Sequence, residues 1–139
     1  MARRTKKTPL QPVVFDADIL IWYFRGNPSA QASVASVDQD LRWVSSLALM
    51  ELMQGARNRK ELLDVQAFIA ENFSRILHPR TSISEKAIHL IDECAPSHGL
   101  RVIDALIAAS AMLHRAVLAT GNSRHFSFIP GLELRRFAP

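Results

Sequence analysis

The sequence has few of the features that cross-link a protein or anchor it in a membrane. Its single cysteine, Cys94, excludes an intramolecular disulfide and suits a reducing cytoplasm. No uncharged apolar run is long enough to span a membrane. The apolar stretch behind the N-terminus contains Asp16 and Asp18, and it lacks the small-residue pattern of a cleaved secretory signal. These absences predict a soluble protein of the cytoplasm.

Acidic residues are missing from the N-terminal segment, which explains the net charge of +4. The basic residues of this segment are Arg3, Arg4, Lys6 and Lys7, and the rest of the chain has 13 basic and 13 acidic residues. We predict that residues 1–11 form a flexible basic arm, with contact to nucleic-acid phosphates as the alternative. Hydrophobic residues make up 48% of the chain, so residues 12–139 are predicted to form a single globular domain.

Short apolar runs alternate with helical patterns along the chain. The run VVF after Pro12 is typical of a buried strand. Further strands are predicted at 41–45, 75–78, 116–120 and 132–137, and helices at 29–39, 46–57, 58–73, 82–94 and 103–114. A capping box, Ser82 to Glu85, is expected to open the fourth of these helices, which Pro96 and Gly99 would end. This alternation predicts an α/β fold with a central parallel sheet and helices on both faces.

Four of the 13 acidic residues are not explained by a polar setting or a helix cap. Asp16 and Asp18 follow the first strand, Glu51 lies in an apolar helix after the second strand, and Asp104 opens another apolar helix. Asn122 follows the strand AVLAT. Since ligands gather at the carboxyl ends of parallel strands, these residues are predicted to meet at one edge of the sheet.

Convergent carboxylates repel one another unless a cation lies between them. Taken alone, Glu51 could be an acid with an exposed tip, and Asp104 could simply stabilise the start of its helix. Taken together, oxygen donors without clustered cysteine or histidine favour Mg²⁺ or Mn²⁺ over zinc. Such ions activate water and bind phosphate oxygens. The sequence therefore predicts a metal-dependent phosphodiesterase.

Four motifs resemble the PIN domain nucleases, and among them the VapC-type toxins of toxin–antitoxin pairs. They are VVFDADILI, SSLALMELMQG, RVIDALIAASAM, and LATGNSRHF followed by IPGLEL, and the resemblance spans residues 12–137. The resemblance implies a three-layer α/β/α domain, Mg²⁺- or Mn²⁺-dependent endoribonuclease activity on RNA, an antitoxin partner and a homodimer. By position, Asp16, Glu51 and Asp104 would be the metal-binding acids. Asn122 would be the fourth residue of the site, with Thr120 beside it.

The sequence departs from the family pattern at three places. Asn122 stands where aspartate is frequent, Asp18 where Asn, Ser or Thr is frequent, and His125 where many relatives have an acid. The neutral Asn122 keeps open an alternative function, a PIN-like module that binds RNA or a partner without cutting it. A second alternative is a haloacid-dehalogenase-like phosphatase, because FDAD resembles that family's opening motif; Leu20 does not fit it.

Exposed basic residues are a further expectation for an RNA-binding surface. The candidates are Arg57, Arg59, Lys60 and Arg124. A solvated surface is the favoured interpretation of such charges.

Overall fold

A computed structural model describes residues 11–139, in which a pair of α-helices follows each of the first three strands. The strands are β1 (Val13–Phe15), β2 (Arg42–Ser45), β3 (Arg75–Leu77), β4 (Val117–Thr120) and β5 (Leu134–Arg136). The α-helices are α1 (Ala17–Phe24), α2 (Pro28–Ala35), α3 (Ser46–Gln54), α4 (Arg59–Asn72), α5 (Thr81–His98) and α6 (Val102–Leu113). Short 3₁₀ turns cover Gln39–Leu41 and Ser123–His125.

The five strands form one parallel sheet in the order β3-β2-β1-β4-β5. All three residues of the central strand β1 are buried, as expected for a parallel strand covered on both faces. Helices flank the sheet, and the predicted three-layer α/β/α fold is confirmed. Because every strand runs in the same direction, the carboxyl ends of the strands share one edge, and the helices that follow them begin there.

At the carboxyl ends of β1 and β2, polar side chains cap the next helix. Asp16 follows β1, and one of its carboxylate oxygens accepts a hydrogen bond from the Ala17 backbone N–H at the start of α1. Ser45 ends β2, and its hydroxyl oxygen accepts from the Leu47 N–H in α3. Each cap satisfies one of the amides that a helix leaves without an internal partner.

The helix α5 differs from its predicted bounds at both ends. It begins at Thr81 with Arg80 as the capping residue and without a side-chain cap, so the predicted capping box from Ser82 to Glu85 is wrong. It continues through Pro96 and ends only at Gly99, whose φ of +67° is in the left-handed region. Proline in the last turn removes one backbone hydrogen bond, and α5 packs on α6.

The predicted arm, residues 1–11, lies outside the described part of the chain except for Gln11. The Gln11 side-chain amide donates to a carboxylate oxygen of Glu133 at 2.9 Å, just before β5. The boundary between arm and domain stays a prediction. Within residues 11–139, no helix combines the length and the apolar character needed to cross a bilayer.

Candidate metal centre

Asp16 is a buried carboxylate between β1 and α1, with 7% of its surface exposed. Besides the bond from Ala17, it accepts a hydrogen bond of 2.9 Å from the hydroxyl of Thr120, the last residue of β4. The pKa of Asp16 is raised from 3.8 to about 7. Burial is the largest cause, the charges of Asp18 and Asp104 add to it, and the hydrogen bonds from Thr120 and Ala17 offset part of the rise. The surroundings of Asp16 therefore destabilise its ionised form.

Asp18 lies one residue into α1 and is half-buried. Its carboxylate accepts hydrogen bonds of 2.8 Å from the backbone N–H groups of Ile19 and Gly121. Burial raises the pKa of Asp18, although both of these bonds lower it. A Cβ atom on Gly121 would stand 2.5 Å from the same carboxylate, so the missing side chain of this glycine permits the contact.

Asp104 and Glu51 complete the group of acids at this edge. Asp104 lies in the first turn of α6, and burial raises its pKa, whereas His125 and Arg101 lower it. The Nδ1 atom of His125 is 3.7 Å from a carboxylate oxygen of Asp104. Glu51 is the most exposed of the four acids, and partial burial raises its pKa first, followed by the charges of Asp104 and Asp18. The acids thus act electrostatically on one another.

Thr120 connects the acids to Asn122. Its buried hydroxyl donates to Asp16 and accepts a hydrogen bond of 3.0 Å from the backbone N–H of Asn122. Asn122 itself is exposed beside this buried contact. The sequence predicts Thr120 only as a neighbour of Asn122, and it gives no indication of the role of Gly121. A polar residue at the end of an otherwise apolar strand is the feature that would point to Thr120.

The chemistry of these side chains fits a hard divalent cation. All candidate ligands are carboxylate or amide oxygens. Burial raises the pKa of all four acids, like charges raise those of Asp16 and Glu51 further, and a cation among them would offset both effects. As the side chains stand, however, residues 11–139 contain no group of three acidic, histidine or cysteine side chains close enough to ligate one ion. Joint ligation therefore requires the carboxylates to approach one another more closely.

Known proteins share both this sequence pattern and this fold. The family model described as PIN domain matches residues 13–131. Ribonuclease VapC19 of Mycobacterium tuberculosis is 32% identical over 127 residues, which cover 86% of this chain and 96% of the relative. A solved toxin–antitoxin complex from Klebsiella pneumoniae has a chain that is 30% identical, with a TM-score of 0.75 and coverage of 86% of this chain and 94% of that one.

A further solved structure shows similarity in the fold alone. DNA-bound VapBC from Salmonella typhimurium is 21% identical, with a TM-score of 0.76 over 92% of this chain and 99% of that one. These matches cover nearly the whole of the described α/β/α domain.

Proposed function

Because the chain belongs to the PIN domain family, we propose that it is a metal-dependent endoribonuclease and the toxin of a toxin–antitoxin pair. The observation that carries this proposal is the group of four mutually repelling acids, Asp16, Asp18, Glu51 and Asp104, at the carboxyl edge of the parallel sheet. The relative's name, a ribonuclease, supports RNA as the substrate. Such a toxin would act in the cytoplasm, where its substrate lies.

Five residues of the site have a proposed role. Asp16 and Asp104 would bind Mg²⁺ or Mn²⁺, and Glu51 would bind it or orient the attacking water. Asn122 would hold a water molecule or the scissile phosphate through its exposed amide. The ion would contribute water activation and neutralisation of the charge that develops on the phosphodiester. Thr120 would fix the Asp16 carboxylate through the hydrogen bond that its buried hydroxyl donates.

An antitoxin partner and a homodimer are part of the proposal. The solved relative from Klebsiella pneumoniae is a toxin–antitoxin complex, which supports a protein partner. Large apolar side chains remain exposed on three helices at Phe24, Met50 and Leu63, with 41%, 54% and 54% of their surface accessible. Because α3 contacts both α1 and α4, these side chains lie on neighbouring helices, and apolar surface of this kind is suited to a protein interface. Size-exclusion chromatography with light scattering would test the homodimer, because a monomer at high concentration contradicts it.

A PIN-like module that binds without cutting is the second candidate. The neutral amide at Asn122 and the spacing of the acids, too wide for joint ligation of one ion as they stand, favour this candidate. The family match gives the haloacid-dehalogenase-like phosphatase no comparable support.

The deciding experiment is cleavage of total and structured RNA by the purified chain with Mg²⁺ or Mn²⁺, with and without chelator. We expect cutting that chelator stops and that Asp16→Ala abolishes while circular dichroism shows an intact fold. The matched control is Asp92→Ala, which removes an exposed acid of α5, and this variant should cut RNA normally. Full activity of Asp16→Ala would refute the site. A folded, metal-loaded chain that binds RNA without cutting it would favour the second candidate, and release of phosphate from a small phosphomonoester would revive the phosphatase.

A further inference from the structure

Arg136 stands in line with Asp16 across the sheet. In β5 it pairs in register with Thr120 of β4, and the Phe137 N–H donates to the Thr120 carbonyl at 3.0 Å. Asp16 stands next to Thr120 on the other side, since Phe15 pairs with Ala119. Two strand spacings separate the backbones of Asp16 and Arg136, a distance of about 10 Å. A cation therefore lies at the same sheet edge as the buried carboxylate.

The Arg136 side chain is exposed and is held toward the site by a hydroxyl. Its guanidinium donates a hydrogen bond of 2.8 Å to Oγ of Ser123, the residue directly after Asn122. Within residues 11–139, no carboxylate lies within ion-pair distance of it. A guanidinium has five N–H donors in a fork that matches phosphate oxygens, so further donors of Arg136 can bind an anion.

Two of the candidate basic residues from the sequence form ion pairs with acids four residues further along the chain. Arg57, just before α4, pairs with Glu61 at 2.6 Å, and Lys60 pairs with Asp64 within α4 at 2.9 Å. Arg135, next to Arg136, donates to Ser36 at the end of α2. Successive side chains of a strand point to opposite faces, so Arg135 and Arg136 reach different parts of the surface. This difference makes Arg135 a matched control.

We infer that Arg136, held by Ser123, binds a phosphate of the RNA strand next to the scissile one. The inference rests on the proposed nuclease function, and it names a residue that orients the substrate at that site. Four carboxylates repel a phosphate backbone, so a cation at the same sheet edge offsets part of this repulsion and sets the direction of the strand. Arg136 is a positioning residue in this scheme, because the cleaved bond lies at the carboxylates.

The test compares Arg136→Gln with Arg135→Gln in an Asp104→Asn background, which is expected not to cut. Binding of a short fluorescent single-stranded RNA of mixed sequence is measured by anisotropy in Mg²⁺ over a series of salt concentrations. We expect Arg136→Gln to weaken binding about tenfold, since a charge-assisted hydrogen bond is lost. The log–log salt slope should fall in magnitude by about 0.7, the share of one phosphate contact on a single strand. Arg135→Gln should change neither quantity.

The two substitutions remove the same charge, so equal effects would overturn the inference by showing a general charge effect. Unchanged binding by Arg136→Gln would also overturn it. In the otherwise unaltered chain, Arg136→Gln should raise KM for RNA and keep kcat. Failure of the proposed function is seen separately, because the chain without substitutions would then not cut RNA at all, whereas failure of the inference leaves cleavage intact.

Discussion

Replacing Asp16 with asparagine should stabilise the metal-free protein while abolishing cleavage. Burial and the neighbouring acids raise the pKa of this carboxyl from its ordinary value of 3.8 to about 7. The folded chain therefore keeps a proton that the unfolded chain releases between these two values, and the free energy of unfolding falls as the pH rises through this window. At 1.36 kcal/mol per pKa unit, the full penalty is about 4 kcal/mol.

The asparagine side chain isolates this charge effect because it preserves the local contacts. Its carbonyl oxygen can accept from the Ala17 N–H, and its amide can donate to the Thr120 hydroxyl oxygen in place of the present bond. The difference in unfolding free energy between the Asn variant and the unaltered chain should thus be near zero at pH 4. It should grow up to pH 7 and level off above it, at a value of at most about 4 kcal/mol.

Urea unfolding with chelator at a series of pH values measures this difference. Asp92→Asn, which changes an exposed acid on α5, is the control and should show no such pH-dependent gain. Mg²⁺ or Mn²⁺ should then raise the stability of the unaltered chain and leave that of Asp16→Asn nearly unchanged, because a ligand stabilises only the state that binds it. If the Asp16→Asn variant and the unaltered chain are equally stable at pH 8, the ionised Asp16 does not destabilise the fold and this reasoning is refuted.

Three further substitutions test the other parts of the site. Gly121→Ala would push the Asp18 carboxylate away from its backbone donor. It should reduce RNA cleavage at least about tenfold, because a hydrogen bond to a charged group is lost. The control Gly55→Ala, whose added Cβ would meet the nearest atom at an ordinary 3.5 Å, should cut normally. Glu51→Gln should weaken Mn²⁺ binding in calorimetry but shift the free energy of unfolding by less than about 0.5 kcal/mol, because this side chain is exposed. Asn122→Asp should tighten Mn²⁺ binding by adding a carboxylate, and an unchanged affinity would place the ion away from this residue.

The sequence predicts those features of the molecule that depend on local patterns. The apolar run from Val13 to Phe15 predicts a buried parallel strand, and the alternation of strands and helices predicts the α/β/α fold. The capping box at Ser82 fails because a cap depends on backbone geometry, and the chain reaches its extended capping conformation at Arg80 instead. A four-residue motif does not contain this information.

The sequence does not reveal the contacts that join distant parts of the chain. Thr120 and Asp16 are 104 residues apart, and their hydrogen bond exists only because β1 and β4 are neighbours in the sheet. Gly121 allows the Asp18 carboxylate to approach its backbone because it has no side chain. The sequence cannot show this, because the two residues are neighbours only in the folded chain. Likewise, Arg136 is one charge among many until the register of β5 sets it beside Thr120. Local sequence patterns identify the candidate acidic residues, whereas the packing of the sheet determines which groups contact them.

Asp16 combines a stabilising contact with a destabilising charge, and this balance explains why its removal should leave the fold intact. Asp16→Ala loses the cap of α1, which costs about 1 kcal/mol, and it leaves the Thr120 hydroxyl without its acceptor, at a cost of about 1–3 kcal/mol. At neutral pH, the same substitution removes a penalty that approaches 4 kcal/mol. The two effects are of similar size. A loss of cleavage in Asp16→Ala would therefore report the missing carboxylate rather than an unfolded chain.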